Sequence, residues 1–333
     1  MSFLIDNKAS IATVQYSDNQ REDWEKFIEH KALNSTFLHS RDFFDHNLIN
    51  AQEDASLIFY RGKTIIAVFP AVLYQENNYR ILNSHLRATY GGFIVSRELG
   101  IQEAIILVQE VILFAKHKEV DQIIVRNPFR IFNSQQCDET DYAMWYHGFR
   151  IKSRELEIAV PLNGDHKIIK SQYHHTTARN VKKGNSQVEV KISEDFESYW
   201  VLLEKCLMGQ YGKKPTHDYP GIQKLRANIR DNKILLFAAY HNSRLIGGVV
   251  VFNFNELILH AQYAASDYEF KNLCPLHSVF DFIIDWGHQR GAKYLNLGMA
   301  NEEEGRKINY GLFRFKESFG GRGVLRETMY LEL

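Results

Sequence analysis

The sequence predicts an α/β (α+β) protein of two tandem domains, each a mixed, mostly antiparallel sheet flanked by helices. A chain of 333 residues is long enough for two domains. Strand-like and helix-like stretches alternate along it. The halves also share a pattern, because 59–74 resembles 239–254 and 102–128 resembles 276–299. A separation of roughly 170–180 residues indicates a duplicated domain rather than a short repeat.

The first predicted domain, residues 1–162, is a series of strands followed by a helix–strand unit. Alternating apolar residues and turn signals predict the strands, and a long apolar period predicts the main helix. Pro70 lacks an N–H group and marks an edge or bulge within its strand. The elements expected in order are a helix at 21–30, strands at 56–60, 64–74, 79–83 and 90–95, a helix at 101–118, a strand at 121–127, a helix at 141–148 and a strand at 154–162.

The second predicted domain, residues 163–333, repeats this order after a polar, basic stretch at 163–185. Apolar residues recur at helical spacing from Leu276 to Gly287, and Gly291 is placed to end that helix. The loop at 299–309 is polar and directly follows a strand, which is a common position for a functional site. The remaining expected elements are strands at 187–191, 233–240, 245–252, 256–264, 293–298 and 324–333, helices at 195–208 and 221–230, and a helix-like segment before Gly320-Gly321.

Composition narrows the functional class. The chain is 45% hydrophobic, and its 40 acidic residues balance 40 basic ones. This balance argues against a chain-wide basic surface for nucleic acid, so no DNA partner is expected. Three widely spaced cysteines predict neither a disulfide framework nor a metal site. No signal peptide or stretch of ~20 apolar residues is visible, which predicts a cytoplasmic protein without a transmembrane segment.

Several stretches of the second half carry a family resemblance. They are KKPTH at 213–217, LIGGVVVF at 245–252, HAQYAAS at 260–266, WGHQRGAKYLNLG at 286–298 and NEEEGRKINYGLFRFKESFGG at 301–321. With the order of elements, they resemble the GNAT (GCN5-related N-acetyltransferase) superfamily, in particular its FemAB-like branch with two tandem GNAT domains. The resemblance covers most of 165–333, and the first half only through weak patterns.

The resemblance implies an N-acyltransferase. It implies transfer of an acyl or aminoacyl group from acyl-CoA (acetyl-CoA) or aminoacyl-tRNA to an amine of an amino sugar or cell-envelope precursor, without a metal. The donor would lie between two parted strands, here 256–264 and 293–298. One feature departs from the ordinary superfamily, because 266–277 lacks the glycine pair that binds the coenzyme A pyrophosphate. The alternative is a non-catalytic GNAT-like module that binds a ligand or partner.

The resemblance also nominates site residues. His217 is the expected general base, Tyr263 a proton donor to the leaving group, and Lys316 a cation facing the donor carbonyl or a phosphate. Ordinary strand alternation would place His260 and Gln262 on one face and Tyr263 on the other. Each of these residues also has a purely structural interpretation. His217 would be an ordinary loop residue, and His260 and Gln262 would form a buried polar pair in the core. The Lys316 side chain would extend along apolar surface to reach water. The residues expected to bind substrate are Lys214, Thr216, His260, Gln262, Ser266, Asn296, Glu304, Arg306 and Arg179.

Overall fold

The computed structural model describes residues 11–49, 52–229 and 233–333. The chain forms two compact units. Unit 1 comprises Met1–Arg154 together with Arg326–Leu333, and unit 2 comprises Glu155–Leu325. The division therefore falls inside the strand expected to close the first domain, and the last eight residues group with unit 1. The boundary between 162 and 163 stays a sequence-based prediction.

Among its described residues, unit 1 contains four helices, eight complete strands and parts of two strands that it shares with unit 2. The helices are α1 (Arg21–His30), α2 (Arg41–Asn47), α3 (Ile101–His117) and α4 (Glu139–Tyr146). The strands are β1 (Ile11–Gln15), β2 (Glu53–Asp54), β3 (Leu57–Arg61), β4 (Thr64–Phe69), β5 (Val72–Glu76), β6 (Tyr79–Ser84), β7 (Ile94–Val95), β8 (Gln122–Val125) and β9 (Arg150–Pro161).

Two runs of paired strands share the core of unit 1. Strands β1, β3, β4 and β7 follow one another in an antiparallel sheet. The end of the chain's last strand, then β8, β6, β5 and β2, follow one another in the second run, which is part of an 11-stranded sheet. Helix α3 packs its buried face, including Leu107, Val108 and Val111, into the apolar core between them. The single strand predicted at 64–74 is wrong, because the chain breaks at Pro70 and Ala71 into β4 and β5. The strand predicted at 90–95 is reduced to β7.

Unit 2 repeats the plan with a longer sheet. Its helices are α5 (His166–Ser171), α6 (His175–Asn185), α7 (Phe196–Tyr211), α8 (Tyr219–Asn228), α9 (Pro275–Gln289) and α10 (Tyr310–Glu317). Its strands are β10 (Glu189–Ser193), β11 (Ile234–His241), β12 (Arg244–Asn253), β13 (Ile258–Ser266), β14 (Tyr294–Met299), β15 (Asn301–Glu302), β16 (Lys307–Ile308) and β17 (Arg322–Glu332), whose end belongs to unit 1.

The sheet of unit 2 runs in the order β10-β11-β12-β13-β14-β9. Its neighbours are antiparallel except β13 and β14, which are parallel and joined by α9. Helix α9 covers one face through a buried apolar stripe that includes Val279 and Ile283, while Tyr199 and Trp200 of α7 are buried on the other face. Gly291 has a φ of +76°, so the predicted helix end is confirmed. The mixed α/β fold of two similar units with mostly antiparallel sheets is likewise confirmed.

The polar segment 299–309 is more ordered than the predicted loop. Asn301 pairs with Ile308 and Glu302 with Lys307, so β15 and β16 form a small hairpin. Its turn holds Glu303 and Glu304 at φ values of +53° and +56°. The hairpin directly precedes α10, which carries Lys316.

Candidate active site

The central parallel strands of unit 2 part after a short ladder. The β13–β14 pairing covers Ile258–His260 opposite Tyr294–Asn296, and no further pair joins these two fully described strands. Beyond His260, β13 continues to Ser266 paired only with β12, while β14 continues beside β9. The result is a gap between the two strands, and the β13 backbone groups beside it have no partner in β14. Such groups can hydrogen-bond an extended ligand as an added strand would.

A β-bulge at Gln262 changes the orientation of the side chains beside this gap. Val250 pairs with Tyr263 but Val251 pairs with Ala261, which leaves Gln262 as the extra residue. Leu259 and Ala261 contact the apolar core under α9, and Tyr263 instead contacts Trp200 of α7, with ring centroids 5.3 Å apart. His260 and Tyr263 therefore share the α7 face, and the expected alternation is wrong because of the bulge.

His217 and Tyr263 form a bonded pair. The Nδ1 atom of His217 lies 2.6 Å from the Tyr263 hydroxyl, and the His217 backbone N–H also reaches this oxygen at 3.3 Å. Trp200 donates its indole N–H to the His217 carbonyl at 3.1 Å, which fixes the loop before α8. Burial raises the pKa of Tyr263, although hydrogen bonds from the His217 backbone, Thr216 and Gln262 oppose the rise. The phenol therefore stays protonated near neutral pH and is able to donate or relay a proton.

Lys316 and His260 converge at the opening of the gap. A Cβ atom at Gly298 would lie 3.7 Å from His260 Cε1 and 3.9 Å from Lys316 Nζ. The Lys316 ammonium donates to the Met299 carbonyl at 2.6 Å, and the side chain is buried. Burial lowers the pKa of Lys316 to about 8, and the charge of Glu157 opposes this. Most of the population is protonated at neutral pH, and an ammonium has donors beyond the one bonded to Met299.

Asn296 is positioned by a residue that sequence reasoning missed. Its Nδ2 donates to Glu157 Oε2 at 2.7 Å, and its Oδ1 accepts the Gly298 N–H at 2.9 Å. Glu157 is only 1% exposed. It pairs with Met299 in the β9–β14 ladder, so its carboxylate lies beside the turn that exposes Gly298. The available signal was an acidic residue inside the apolar run LEIAVPL, since carboxylates are rarely buried without a partner.

The other predicted residues lie outside this constellation. Lys214, Glu304, Arg306 and Arg179 are exposed on a loop, a hairpin and α6. Ser266 ends β13, where its carbonyl accepts the Cys206 thiol at 3.3 Å. The structure thus brings together His217, Thr216, Gln262 and Tyr263 in one group and His260, Asn296 and Lys316 in another, and β13 connects the groups. Binding by the outlying residues remains a prediction.

The first turn of α9 is covered by neighbouring helices. Gly184 of α6 packs so closely there that a Cβ atom would collide with the Ser278 hydroxyl and lie 3.1 Å from the Cys274 carbonyl. His277 packs edge-on against Phe315 of α10 at 5.3 Å. The backbone N–H groups of His277 and Ser278 point back to the Cys274 carbonyl at 3.0 and 3.3 Å. This helix start offers less free backbone to a phosphate than an open glycine-rich turn would.

Within the described ranges 11–49, 52–229 and 233–333, the protein has neither a metal-binding cluster nor a membrane-spanning helix. No cluster of three or more His, Cys, Asp or Glu side chains there is arranged to hold a metal ion. No helix in those ranges has the length and apolar content needed to cross a bilayer.

Comparison with known proteins identifies the fold. No protein-family model matches the sequence, and no curated protein matches it significantly. Among solved structures, FemX is similar with a TM-score of 0.73 at 12% identity, covering 97% of each chain. L-PGS from Bacillus licheniformis gives 0.55 at 13% identity, covering 92% of this chain and 90% of its own. A tandem GNAT protein from the clavulanic acid biosynthesis pathway gives 0.53 at 11%, covering 97% and 98%. The predicted resemblance is confirmed at the level of the fold: the chain has the fold of FemX and of this tandem GNAT protein.

Proposed function

We propose that the protein is an N-acyltransferase that moves an acyl or aminoacyl group from an activated donor to an amine, with its active site in unit 2. The amine would belong to an amino sugar or another cell-envelope precursor, as the FemAB-like resemblance implies. The observation that carries the proposal is the parting of β13 and β14 beside the buried Lys316 ammonium. A buried cation at a strand gap is suited to bind an oxyanion that forms there.

The reaction needs no covalent enzyme intermediate. The acceptor amine attacks the donor carbonyl carbon, a C–N bond forms, and the bond to the leaving oxygen or sulfur breaks. Lys316 would stabilise the oxyanion of the tetrahedral intermediate, assisted by backbone N–H groups along the open edge of β13. The His217–Tyr263 pair would take the proton lost by the amine and return one to the leaving group, because its two polar groups already share a 2.6 Å hydrogen bond.

For the donor, two observations favour an aminoacyl ester on tRNA over coenzyme A. The segment before α9 lacks the glycine pair, and α6 and α10 cover the first turn of that helix. Helix α6 also presents Arg179, Lys182 and Lys183 to solvent, and none of them is ion-paired with a described residue. Exposed cations of this kind suit a nucleic-acid backbone. The same covered helix start favours the alternative function, a non-catalytic GNAT-like module that binds its ligand without transfer.

A transfer assay separates these functions. The purified protein is incubated with aminoacylated tRNA or acetyl-CoA, together with amino-sugar nucleotides as acceptors, and amide products are followed by mass spectrometry. We expect product from charged tRNA and its loss in Lys316→Met. Binding of a donor without any product would favour the module, whereas neither binding nor product from any combination would contradict both functions.

A further inference from the structure

Helix α4 of unit 1 turns three aromatic side chains to solvent. Tyr142, Trp145 and Tyr146 are 51%, 66% and 60% exposed. Their i, i+3, i+4 spacing places them on one side of the helix. The Tyr142 ring centroid lies 5.7 Å from that of Trp145 and 6.5 Å from that of Tyr146. We call these three residues the aromatic face. An ordinary surface helix presents polar side chains to solvent, whereas α4 presents aromatic ones.

The aromatic face is held rigidly in place. Ala143 and Met144, on the opposite side of α4, are completely buried in the core of unit 1. The His147 Nε2 atom lies 3.0 Å from the Ile105 carbonyl, which ties the end of α4 to α3. One turn earlier on α3, Ile101 is 44% exposed. The rings therefore cannot rotate into the core and stay available to a partner.

The chain directly after the aromatic face is basic. Residues 142–154 contain no Asp or Glu but include Arg150, Lys152 and Arg154. Arg154 pairs with Glu327 at 2.5 Å. Arg150 and Lys152 are exposed and have no ion pair with any residue in the described part of the chain. Two unpaired cations that follow the exposed rings in sequence complement a surface that is negative and apolar at the same time.

An anionic lipid bilayer is the surface with this chemistry. Tryptophan and tyrosine rings favour the interface between lipid headgroups and acyl chains, because each has an apolar body and a polar tip. Nearby lysine and arginine side chains are attracted to the negative headgroups.

A protein partner would equally cover the rings. The acidic residues at the start of α4 are paired or partly buried, since Asp138 binds Arg130 at 2.7 Å and Asp141 accepts from Asn127 at 3.3 Å. The unpaired charges that follow the rings are therefore positive, which favours the lipid. We propose that the aromatic face of α4, with Arg150 and Lys152, docks unit 1 reversibly on an anionic membrane surface.

This proposal is independent of the transfer chemistry, and Trp145 provides its own probe. Of the four tryptophans, Trp24 and Trp200 are buried and Trp286 is half-buried, so Trp145 is the exposed one. The experiment adds vesicles of phosphatidylcholine, either pure or with about 30% phosphatidylglycerol to make the surface anionic. We expect a blue shift of the fluorescence on anionic vesicles, and quenching by lipids brominated near the headgroup end of the acyl chain.

Matched variants localise the contact. Trp145→Ala should abolish cosedimentation with anionic vesicles, whereas Tyr79→Ala, which removes another exposed ring of unit 1, should not. The double variant Arg150→Glu/Lys152→Glu should weaken vesicle binding by about tenfold or more. Lys63→Glu, at an exposed position in the turn between β3 and β4, is its control.

Three results would overturn the proposal. The first is no fluorescence shift and no cosedimentation with anionic vesicles at low salt. The second is equal binding to neutral vesicles that the double charge reversal leaves unchanged. The third is a dimer in light scattering that Trp145→Ala converts to a monomer without vesicles, since the aromatic face would then be a contact between two copies of the chain.

Discussion

The two units differ at their central pair of parallel strands, which is paired to the end of both strands in unit 1 and parts in unit 2. In unit 1, the parallel pair β6–β8 is bonded from Ile81 opposite Gln122 to the last residue of both strands, Ser84 opposite Val125. The hydrogen bonding continues beyond the two strands, because the Arg126 N–H donates to the Ser84 carbonyl and the Gly91 N–H donates to the Arg126 carbonyl. We call this continuous pairing the seal of unit 1. In unit 2, the equivalent pair β13–β14 is bonded over three residue pairs and then parts.

The side chains that lie beside the two parallel strand pairs also differ. Beside the sealed strands of unit 1 lie His39 and His85, buried among aromatic rings. Beside the parted strands of unit 2 lie the polar side chains of Lys316 and His260, which approach each other at Gly298. A duplicated fold thus keeps one copy as a packed scaffold and opens the other, and chemistry is expected only in the open copy. Catalysis in the open copy and stability in the sealed copy can be tested separately.

The largest effect is expected at Lys316. Lys316→Met removes the cation at the gap while keeping most of the side-chain volume, so the transfer rate should fall by about 10²–10³. The measurement is kcat for the donor and acceptor pair found active, with circular dichroism to check folding. Lys167→Met, at an exposed position on α5, is the matched control. A folded Lys316→Met protein that retains a third of the activity would refute the role of this cation.

Unit 1 should be the acid-sensitive unit. Burial lowers the pKa of His39 and of His85 to about 3, and neighbouring positive charge, from His85 and Arg41 respectively, adds to this. The unfolded chain takes up these protons near pH 6.5 but the folded unit does not, so stability is complete above pH 6.5 and falls below it. The loss approaches about 1.4 kcal/mol per histidine per pH unit once the pH is well below 6.5.

Urea unfolding at pH 6.5 and 5.5 measures this effect, with roughly 2 kcal/mol expected between the two values for both histidines together, because the unfolded histidines are already half protonated at pH 6.5. His39→Gln should remove about half of the pH dependence. His30→Gln, on the exposed end of α1, should leave it unchanged. A stability that does not change over this range would mean that the two histidines are already protonated in the folded protein.

The seal of unit 1 should not tolerate a side chain at Gly91. A Cβ atom there would collide with the Cβ of His85 and lie 2.8 Å from the Ser84 carbonyl carbon. Gly91→Ala should therefore lower the free energy of unfolding by about 1–3 kcal/mol without changing kcat of the folded fraction. Gly209→Ala in α7, which has open space around it, should be neutral or slightly stabilising. A lower kcat in folded Gly91→Ala would mean that unit 1 takes part in the transfer reaction.

The smallest effect is a shift of a pH profile. Lys316, with a pKa of about 8, is charged below that pH, so transfer should decline as the pH rises through it. Glu157→Gln removes the negative charge that opposes the lowering of this pKa, so the decline should move to lower pH. Glu302→Gln, on the exposed hairpin, is the control. An unchanged pH profile in Glu157→Gln would mean that the loss of transfer at alkaline pH does not come from deprotonation of Lys316.

Local patterns predicted the fold well because they are set by neighbours in sequence. Helix α1 has the predicted bounds, and the hairpin of β11 and β12 and the helix end at Gly291 follow from apolar period and turn residues. The bulge at Gln262 could not be predicted, since a one-residue slip depends on how β12 and β13 meet. It decides which face Tyr263 takes.

The site was predicted in part for a similar reason. The pairing of His217 with Tyr263 joins residues 46 positions apart, and family motifs nominated both without showing their contact. Glu157 was missed because its role depends on the β9–β14 register rather than on its own neighbours. Exposed charges such as Arg179 and Glu304 carry no such constraint, so a basic or acidic run alone did not reveal whether they face the gap.

Photo-cross-linking of the donor tests the central claim most directly. Two probes with a diazirine on the transferred group, one an acyl-CoA and one an aminoacylated RNA minihelix, are irradiated with the protein and the modified peptides are sequenced. The account predicts labels on 258–266 or 294–299 from at least one probe, with competition by the unlabelled donor. Competed labels confined to 79–92 and 122–127 of unit 1 would contradict it.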